Sequence, residues 1–188
     1  MRSRRSKLDI DARHAAALAV AEIFRKSSLC KNALHIACYF ASGYELDMQP
    51  LIHTIWQEKK HCYLPILCSK KEAALSFVLY QERDELKLNK FNIFEPHSSE
   101  SNVFPLEKLD IVFLPLLAYD LQGHRLGSGG GYYDRTFYSI KQTSKKPLLI
   151  GLSFSQQQVE TLPHDDWDVL LDGVLTQDGL HVFIQQSL

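Results

Sequence analysis

The chain has 188 residues, 45% of them apolar and 23% charged, with a formal net charge of −1. That is enough chain to bury a full core in one domain, and the near-neutral balance excludes a general nucleic-acid binder or an acidic tail. No run approaches the roughly 20 apolar residues that cross a bilayer, so neither nucleic acid nor membrane is an expected partner.

The N-terminus is locally basic, with Arg2, Arg4, Arg5 and Lys7 together. Two readings stand: a solvated arm, or a source of cations for a bound polyphosphate. Asp9, Asp11 and Arg13 follow at once, so no signal-peptide core is present and a cytoplasmic chain is expected. Cys30, Cys38, Cys62 and Cys68 fit no CxxC redox or zinc spacing. They read as reduced, mostly buried, small apolar side chains.

Residues 8–26 carry Leu8, Ala12, Ala15, Ala16, Ala19, Ile23 and Phe24 near helical spacing and predict an amphipathic helix. The apolar run 33–40 predicts a buried strand ended by Gly43. Pro50 suits the first turn of a second helix reaching about Lys60, with Leu51, Ile52, Ile55 and Trp56 on one face. Residues 62–67 predict the next strand, and 74–80 continue the pattern less clearly. The polar stretch 81–106, with Pro96 and Pro105, reads as a long excursion, and long loops in compact domains are often functional. Residues 109–117 form the most apolar strand. A Gly-rich loop follows, then a helix from about Tyr132 to Thr143, then strands at 147–152 and 169–175. Strands alternating with helices predict an α/β fold, a three-layer αβα sandwich with a mostly parallel sheet in a single domain. Ligands in such sheets bind at the carboxyl ends of the strands.

Gly127, Gly129, Gly130 and Gly131 fall within five positions. Glycine lets backbone take positive φ and approach a ligand closely, and free amides at a following helix start favour an anion. Arg125 just before the loop suits a charge-assisted phosphate contact. The run has neither the GK[ST] ending of a Walker A loop nor the GxGxxG dinucleotide pattern, so its glycines alone fit a tight turn equally. Tyr132 and Tyr133 add flat faces and hydroxyls. Asp134 is a hard oxygen ligand suited to Mg2+, and also an acid favoured in a first helical turn; the two roles are compatible.

The run Arg125-Leu126-Gly127-Ser128-Gly129-Gly130-Gly131-Tyr132-Tyr133-Asp134 resembles the signature of the 5-formyltetrahydrofolate cyclo-ligases, also called methenyltetrahydrofolate synthetases. Tyr44-Glu45-Leu46-Asp47, Tyr63-Leu64-Pro65, Phe91-Asn92-Ile93-Phe94-Glu95-Pro96, Pro115-Leu116-Leu117-Ala118-Tyr119-Asp120 and the set Pro163, Asp168 and Asp172 resemble further segments of that family. They occur in the expected order over nearly the whole chain. The resemblance implies ATP-driven ring closure of 5-formyltetrahydrofolate to 5,10-methenyltetrahydrofolate, with ADP and phosphate released through a phosphorylated formyl intermediate. The protein would align two small-molecule substrates and stabilise charge during phosphoryl transfer.

Residue by residue, the resemblance implies that Arg125, Leu126, Gly127, Ser128, Gly129, Gly130, Gly131, Tyr132 and Tyr133 hold the ATP phosphates. Tyr132 also faces the folate, and Glu45, Arg125 and Tyr132 serve catalysis. Glu45 orients the formyl-bearing pterin by hydrogen bonds. Phe91 and Phe40 lie against the folate; for Phe40 a plain core role stands beside this one. Asp134 and Asp168 bind Mg2+. Asp47 reads as a helix cap, and Asp172 either supports Asp168 or ends a strand. Where some relatives carry basic residues in the loop, this chain has Ser128 and Gly130. Phosphate charge must then be met by Arg125, Mg2+, backbone amides or the arm, where Arg2 or Arg5 would substitute for a missing first cluster. A monomer or weak homo-oligomer is expected. Rival readings on the same architecture are another nucleotide-dependent transferase, a non-catalytic nucleotide or folate binder, and a sugar-phosphate isomerase or CoA-transferase relative. The eight histidines show no HExxH-type spacing, and His124 reads as a surface turn residue or a phosphate contact.

Overall fold

The computed structural model describes residues 8–68, 74–97, 102–140 and 145–183. The basic arm with Arg2 and Arg5 lies outside the described residues, as does Thr143 at the expected end of the third long helix. Helix α1 (Ile10–Lys26) begins where the Asp9 carboxylate accepts the Ala12 amide, and it ends with Arg25 and Lys26 in its last turn, where cations complement the helix dipole. Ala16, Ala17, Val20, Ala21 and Phe24 form its buried stripe. A short helix α2 (Ser28–Asn32) follows, capped by Ser27. Helix α3 (Gln49–Gln57) starts on Pro50 and buries Leu51, Ile52 and Ile55. The N-cap position is Met48 and no side chain caps the helix, so Asp47 is not the cap expected from sequence; its carboxylate accepts the Gln49 amide at 2.9 Å in the turn just before α3.

The main sheet contains β1 (His35–Ala37), β2 (His61–Leu67), β3 (Leu75–Tyr80), β6 (Val103–Phe104), β7 (Ile111–Pro115), β10 (Leu148–Leu152), β11 (Gly173–Thr176) and β12 (Gly179–Val182). Their spatial order is β12-β11-β10-β7-β1-β2-β3-β6. The five central strands, β11, β10, β7, β1 and β2, are mutually parallel; β12 and β3 pair antiparallel to their inner neighbours, and β6 antiparallel to β3. One face packs on α1, α2 and α3 through Val20, Phe24, Leu51, Ile55 and Phe113. The other is covered by helix α4 (Tyr132–Phe137) and irregular segments through Phe137, Leu109, Val169 and Leu171. The α/β reading with a mostly parallel sheet holds.

Local differences have physical causes. The strand expected over 33–40 pairs only at His35–Ala37, because the chain turns away from the ladder after Cys38 bonds the Tyr63 carbonyl. The expected helix from Tyr132 is regular only to Phe137, with a 3-10 turn at Tyr138–Ile140. The strand expected at 169–175 lies at Gly173–Thr176, since residues just before it are engaged by other partners. Within the excursion 81–106, β4 (Leu86–Leu88) and β5 (Phe94–Pro96) form a small antiparallel ribbon, and β6 joins the main sheet edge.

The chain runs from β1 to β2 in one direction across the sheet and from β7 through β10 to β11 in the other. The carboxyl ends of β1 and β7 therefore frame a topological switch point, the position where open α/β sheets leave a crevice.

Candidate active site

The segment leaving β1 carries Glu45 on a tight turn. The Ser42 amide donates to Glu45 Oε2 at 2.9 Å, and the Glu45 amide returns to the Ser42 carbonyl at 3.2 Å. Gly43 supplies the positive φ of 61°. Leu46 and Met48, both buried, anchor the segment to the core below α3. Glu45 is thus presented, half-buried, at the carboxyl end of β1.

The segment leaving β7 does not pass straight into the glycine loop. It first forms a hairpin of β8 (Ala118–Tyr119) and β9 (Arg125–Leu126). Asp120 organises the turn. Its fully buried carboxylate accepts the amides of Gln122 at 3.0 Å, His124 at 2.9 Å and Leu162 at 3.0 Å, and meets His124 Nδ1 at 2.9 Å. A buried carboxylate with several donors is satisfied in place. The same contacts tie the hairpin to the segment carrying Asp168. His124 stacks on His164 at 3.9 Å, so it belongs to this anchor.

The loop Gly127–Gly131 follows. Gly129 and Gly131 have φ of 94° and 62°, and Gly131 is the residue at which α4 begins. With only six residues, α4 contributes little dipole; the loop amides are the better anion donors. Thr136 pins α4 to the sheet by accepting the Leu75 amide through Oγ1 at 2.8 Å. Leu126, Ser128 and the loop glycines up to Gly130 are exposed, and Gly131 and Tyr132 partly so.

Arg125 points inward, with 6% of its side chain exposed. Its Nη2 bonds Asp134 Oδ1 at 2.6 Å, and its Nη1 donates to the Val169 carbonyl. The Val169 amide also reaches Asp134 Oδ1, at 3.1 Å. Asp134 is therefore locked between the loop arginine and the residue following Asp168. Asp168 in turn accepts the Asp165 amide through Oδ2 at 2.9 Å. Asp172 is elsewhere: its Oδ2 accepts the Leu149 amide at 2.8 Å, which ties it to β10. Among the described residues no group of three or more His, Cys, Asp or Glu side chains is arranged to hold a metal ion.

Tyr133 is partly buried at the start of α4. Burial pushes its hydroxyl pKa well up, the nearby Glu45 carboxylate pushes the same way, and Arg125 opposes them. Its ring lies parallel to Phe137 at 6.5 Å. Tyr132 faces outward and meets Phe91 edge-on, with centroids 5.7 Å apart at 83°. Phe91 reaches it from the β4–β5 turn, where Asn89 Oδ1 accepts the amides of Phe91 and Ile93 and Asn92 takes a φ of 57°. Lys90 Nζ lies 5.2 Å from the Phe91 ring. Phe40 instead makes an edge contact with Tyr80 at 5.6 Å and packs on the core beside α1 and α3.

Of the residues singled out from sequence, Arg125 pairs with Asp134, Tyr132 meets Phe91, Glu45 is near enough to act on Tyr133 electrostatically, and Asp168 precedes the Val169 amide that bonds Asp134. Sequence reasoning missed the role of Val169, which is carried by backbone, and that of Asp120, which it placed in a family-like segment without seeing the buried hub. It also missed Arg135, one helical turn past the end of the loop, whose guanidinium folds back onto the Gly130 carbonyl and over the Tyr132 ring.

A family model described as the 5-formyltetrahydrofolate cyclo-ligase family matches residues 1–177. The 5-formyltetrahydrofolate cyclo-ligase of Haemophilus influenzae is 42% identical over 145 residues, covering 77% of this chain and 76% of the relative. That of Escherichia coli is 39% identical over 141 residues, covering 75% and 76%. The solved 5,10-methenyltetrahydrofolate synthetase of Aquifex aeolicus superposes with a TM-score of 0.79 at 28% identity, covering 99% of this chain and 91% of that one.

Proposed function

This chain belongs to the 5-formyltetrahydrofolate cyclo-ligase family, and from that premise we propose how its crevice performs the ATP-dependent closure of 5-formyltetrahydrofolate to 5,10-methenyltetrahydrofolate. The observation that carries the assignment of residues is the geometry around the glycine loop: Arg125 paired with Asp134 at 2.6 Å on one side, and Tyr132 in ring contact with Phe91 on the other.

The chemistry needs a good leaving group where the substrate has an amide-like oxygen. That oxygen attacks the γ-phosphorus of ATP, and the bond to ADP breaks. The carbon that bears the phosphorylated oxygen is then attacked by N10. The new C–N bond forms, the N10 proton is lost, and phosphate departs with its electron pair. The protein's contribution is alignment and charge placement. The exposed backbone from Leu126 through Gly131 forms the phosphate cradle. Tyr132 and Phe91, already in ring contact, hold the folate by its flat faces, and Glu45 orients the formyl-bearing ring through hydrogen bonds. Arg125 acts by fixing Asp134 and lending positive charge beneath the loop.

Asp134 and Asp168 fit a magnesium ion. Both are hard carboxylates; Arg125 and the Val169 amide occupy Asp134 Oδ1, so Oδ2 is the oxygen offered to a cation. A pair of acids suits an ion that completes its shell with phosphate oxygens and water. Bound there, it would neutralise charge developing on the β- and γ-phosphates. Phe40 packs on the core and meets Tyr80 edge-on, and Arg2 and Arg5 supply further cations from the N-terminal arm. The four cysteines are free and three are buried, which supports a reducing, cytoplasmic setting. Among the described residues no helix is long and apolar enough to cross a membrane. We propose that the chain acts as a single domain, as a monomer or weak homo-oligomer.

The test follows the methenyl product by its near-ultraviolet absorbance. Wild-type protein converts 5-formyltetrahydrofolate only with Mg-ATP, and Glu45→Gln lowers kcat by roughly a hundredfold, the scale of one oriented polar contact in an active site. Conversion without ATP would discard the phosphorylation step. Unchanged turnover in Glu45→Gln would discard the role of Glu45.

A further inference from the structure

We propose that Arg135 is a positioning residue that couples the nucleotide half of the crevice to the folate half, an inference that rests on the site assignment above. Three contacts place it there. Its Nη2 donates to the Gly130 carbonyl. Its guanidinium carbon stands 5.9 Å from the centroid of the Tyr132 ring. A Cβ built on Gly131 would lie 2.9 Å from Nη1 and 3.1 Å from Cζ, so the guanidinium fills the space a side chain at position 131 would take. One planar cation thus braces the loop assigned to the phosphates. It also braces the ring that meets Phe91 on the folate side.

The loop needs such a brace. Four glycines in five positions give the backbone wide freedom, and a Cβ at Gly127 or Gly129 would meet nothing within 4 Å. The Arg135 fork supplies a donor to Gly130 and a cation over the Tyr132 ring at the same time. A lysine at this position keeps the charge but has neither the planar fork nor the stacking face. A substrate that settles the loop therefore settles Tyr132, and the reverse holds with equal free energy.

Calorimetry on the full chain measures this directly. A non-hydrolysable ATP analogue with Mg2+ is titrated with and without saturating 5-formyltetrahydrofolate. In wild type each ligand tightens the other by about tenfold, within the usual span of coupling between sites. In Arg135→Ala the factor falls toward one, and KM for both substrates rises more than kcat falls. Arg135→Lys behaves as Arg135→Ala does, and guanidinium added at low concentration restores coupling to the alanine variant. Wild-type coupling retained in Arg135→Ala or in Arg135→Lys overturns the proposal, as does the absence of coupling in wild type that binds both ligands. If Arg135→Ala fails to fold, Arg135→Lys carries the test. Wild type that binds neither ligand refutes the site assignment, a different result from binding without coupling.

Discussion

Asp134 is given two jobs on one side chain. Oδ1 accepts both Arg125 and the Val169 amide, while the residue is only 24% exposed through its side chain. Asp134→Ala removes the partner of an inward-facing guanidinium and leaves it without its counter-charge. Breaking a buried pair in this way costs about 3 kcal/mol, and urea denaturation reads the loss as a lower midpoint. Asp134→Asn keeps an oxygen for the Val169 amide and for Arg125 but gives up the charge. It is expected to lose at most about 1.5 kcal/mol while turnover drops at least a hundredfold. Equal turnover in Asp134→Asn and wild type, measured at saturating Mg-ATP, would show that the carboxylate serves the fold alone. The two substitutions together separate a helix-start acid from a phosphate-side acid, the alternatives that sequence leaves compatible.

At the scale of elements, the glycine loop offers a contrast between two of its own residues. Gly131 needs its glycine for internal reasons: its φ is 62°, and the Arg135 guanidinium fills the space of a side chain. Gly131→Ala therefore strains the start of α4 by about 1–3 kcal/mol, and thermal unfolding detects it. Gly127 has no such demand, with open space around a built Cβ. Gly127→Ala is expected to leave stability within about 0.5 kcal/mol of wild type while raising KM for ATP about tenfold or more. An unchanged KM would remove Gly127 from the phosphate cradle. The same contrast explains what sequence conveys. Helices α1 and α3 and strands β2, β7 and β10 are legible because periodic or continuous apolar residues set their faces. The edges β6 and β12 are short and half-exposed, so no pattern marks them. The ribbon β4–β5 is hidden by its three-residue strands and by Pro96, although it delivers Phe91 to Tyr132. Glu45, Phe91 and Asp134 are legible through resemblance to a family signature. Arg125 is legible in place but not in direction, since only the folded chain turns it inward onto Asp134 and Val169. Arg135, Val169 and Asp120 act through the loop carbonyl, backbone groups and a buried hub, none of which has a sequence spelling.

Across the whole molecule the parallel sheet separates function from stability by its two edges. The segments that carry the proposed site leave the carboxyl ends of β1 and β7. The amino ends hold a different cluster, in which His35 stacks on His61 at 5.2 Å, meets Phe104 at 4.8 Å and has Nδ1 2.8 Å from the Tyr63 hydroxyl. Burial lowers the His35 pKa below its usual 6.5; Asp110 opposes the shift, while His61, Lys108 and Lys145 reinforce it. A histidine with a depressed folded pKa binds its proton more readily in the unfolded chain. Below about pH 6.5 the unfolded state is then favoured, and stability falls until the folded pKa is passed. Above that window the neutral ring makes no such demand. Urea midpoints taken from pH 7 down to about pH 5.5, above the main carboxylate range, are expected to decline in wild type and to flatten in His35→Asn. Turnover of His35→Asn at pH 7 should match wild type, because the substituted residue lies at the edge opposite the crevice. A decline of the same slope in both proteins would assign the acid limb to other groups. Altered turnover with an intact fold would show that the two edges of the sheet are not independent.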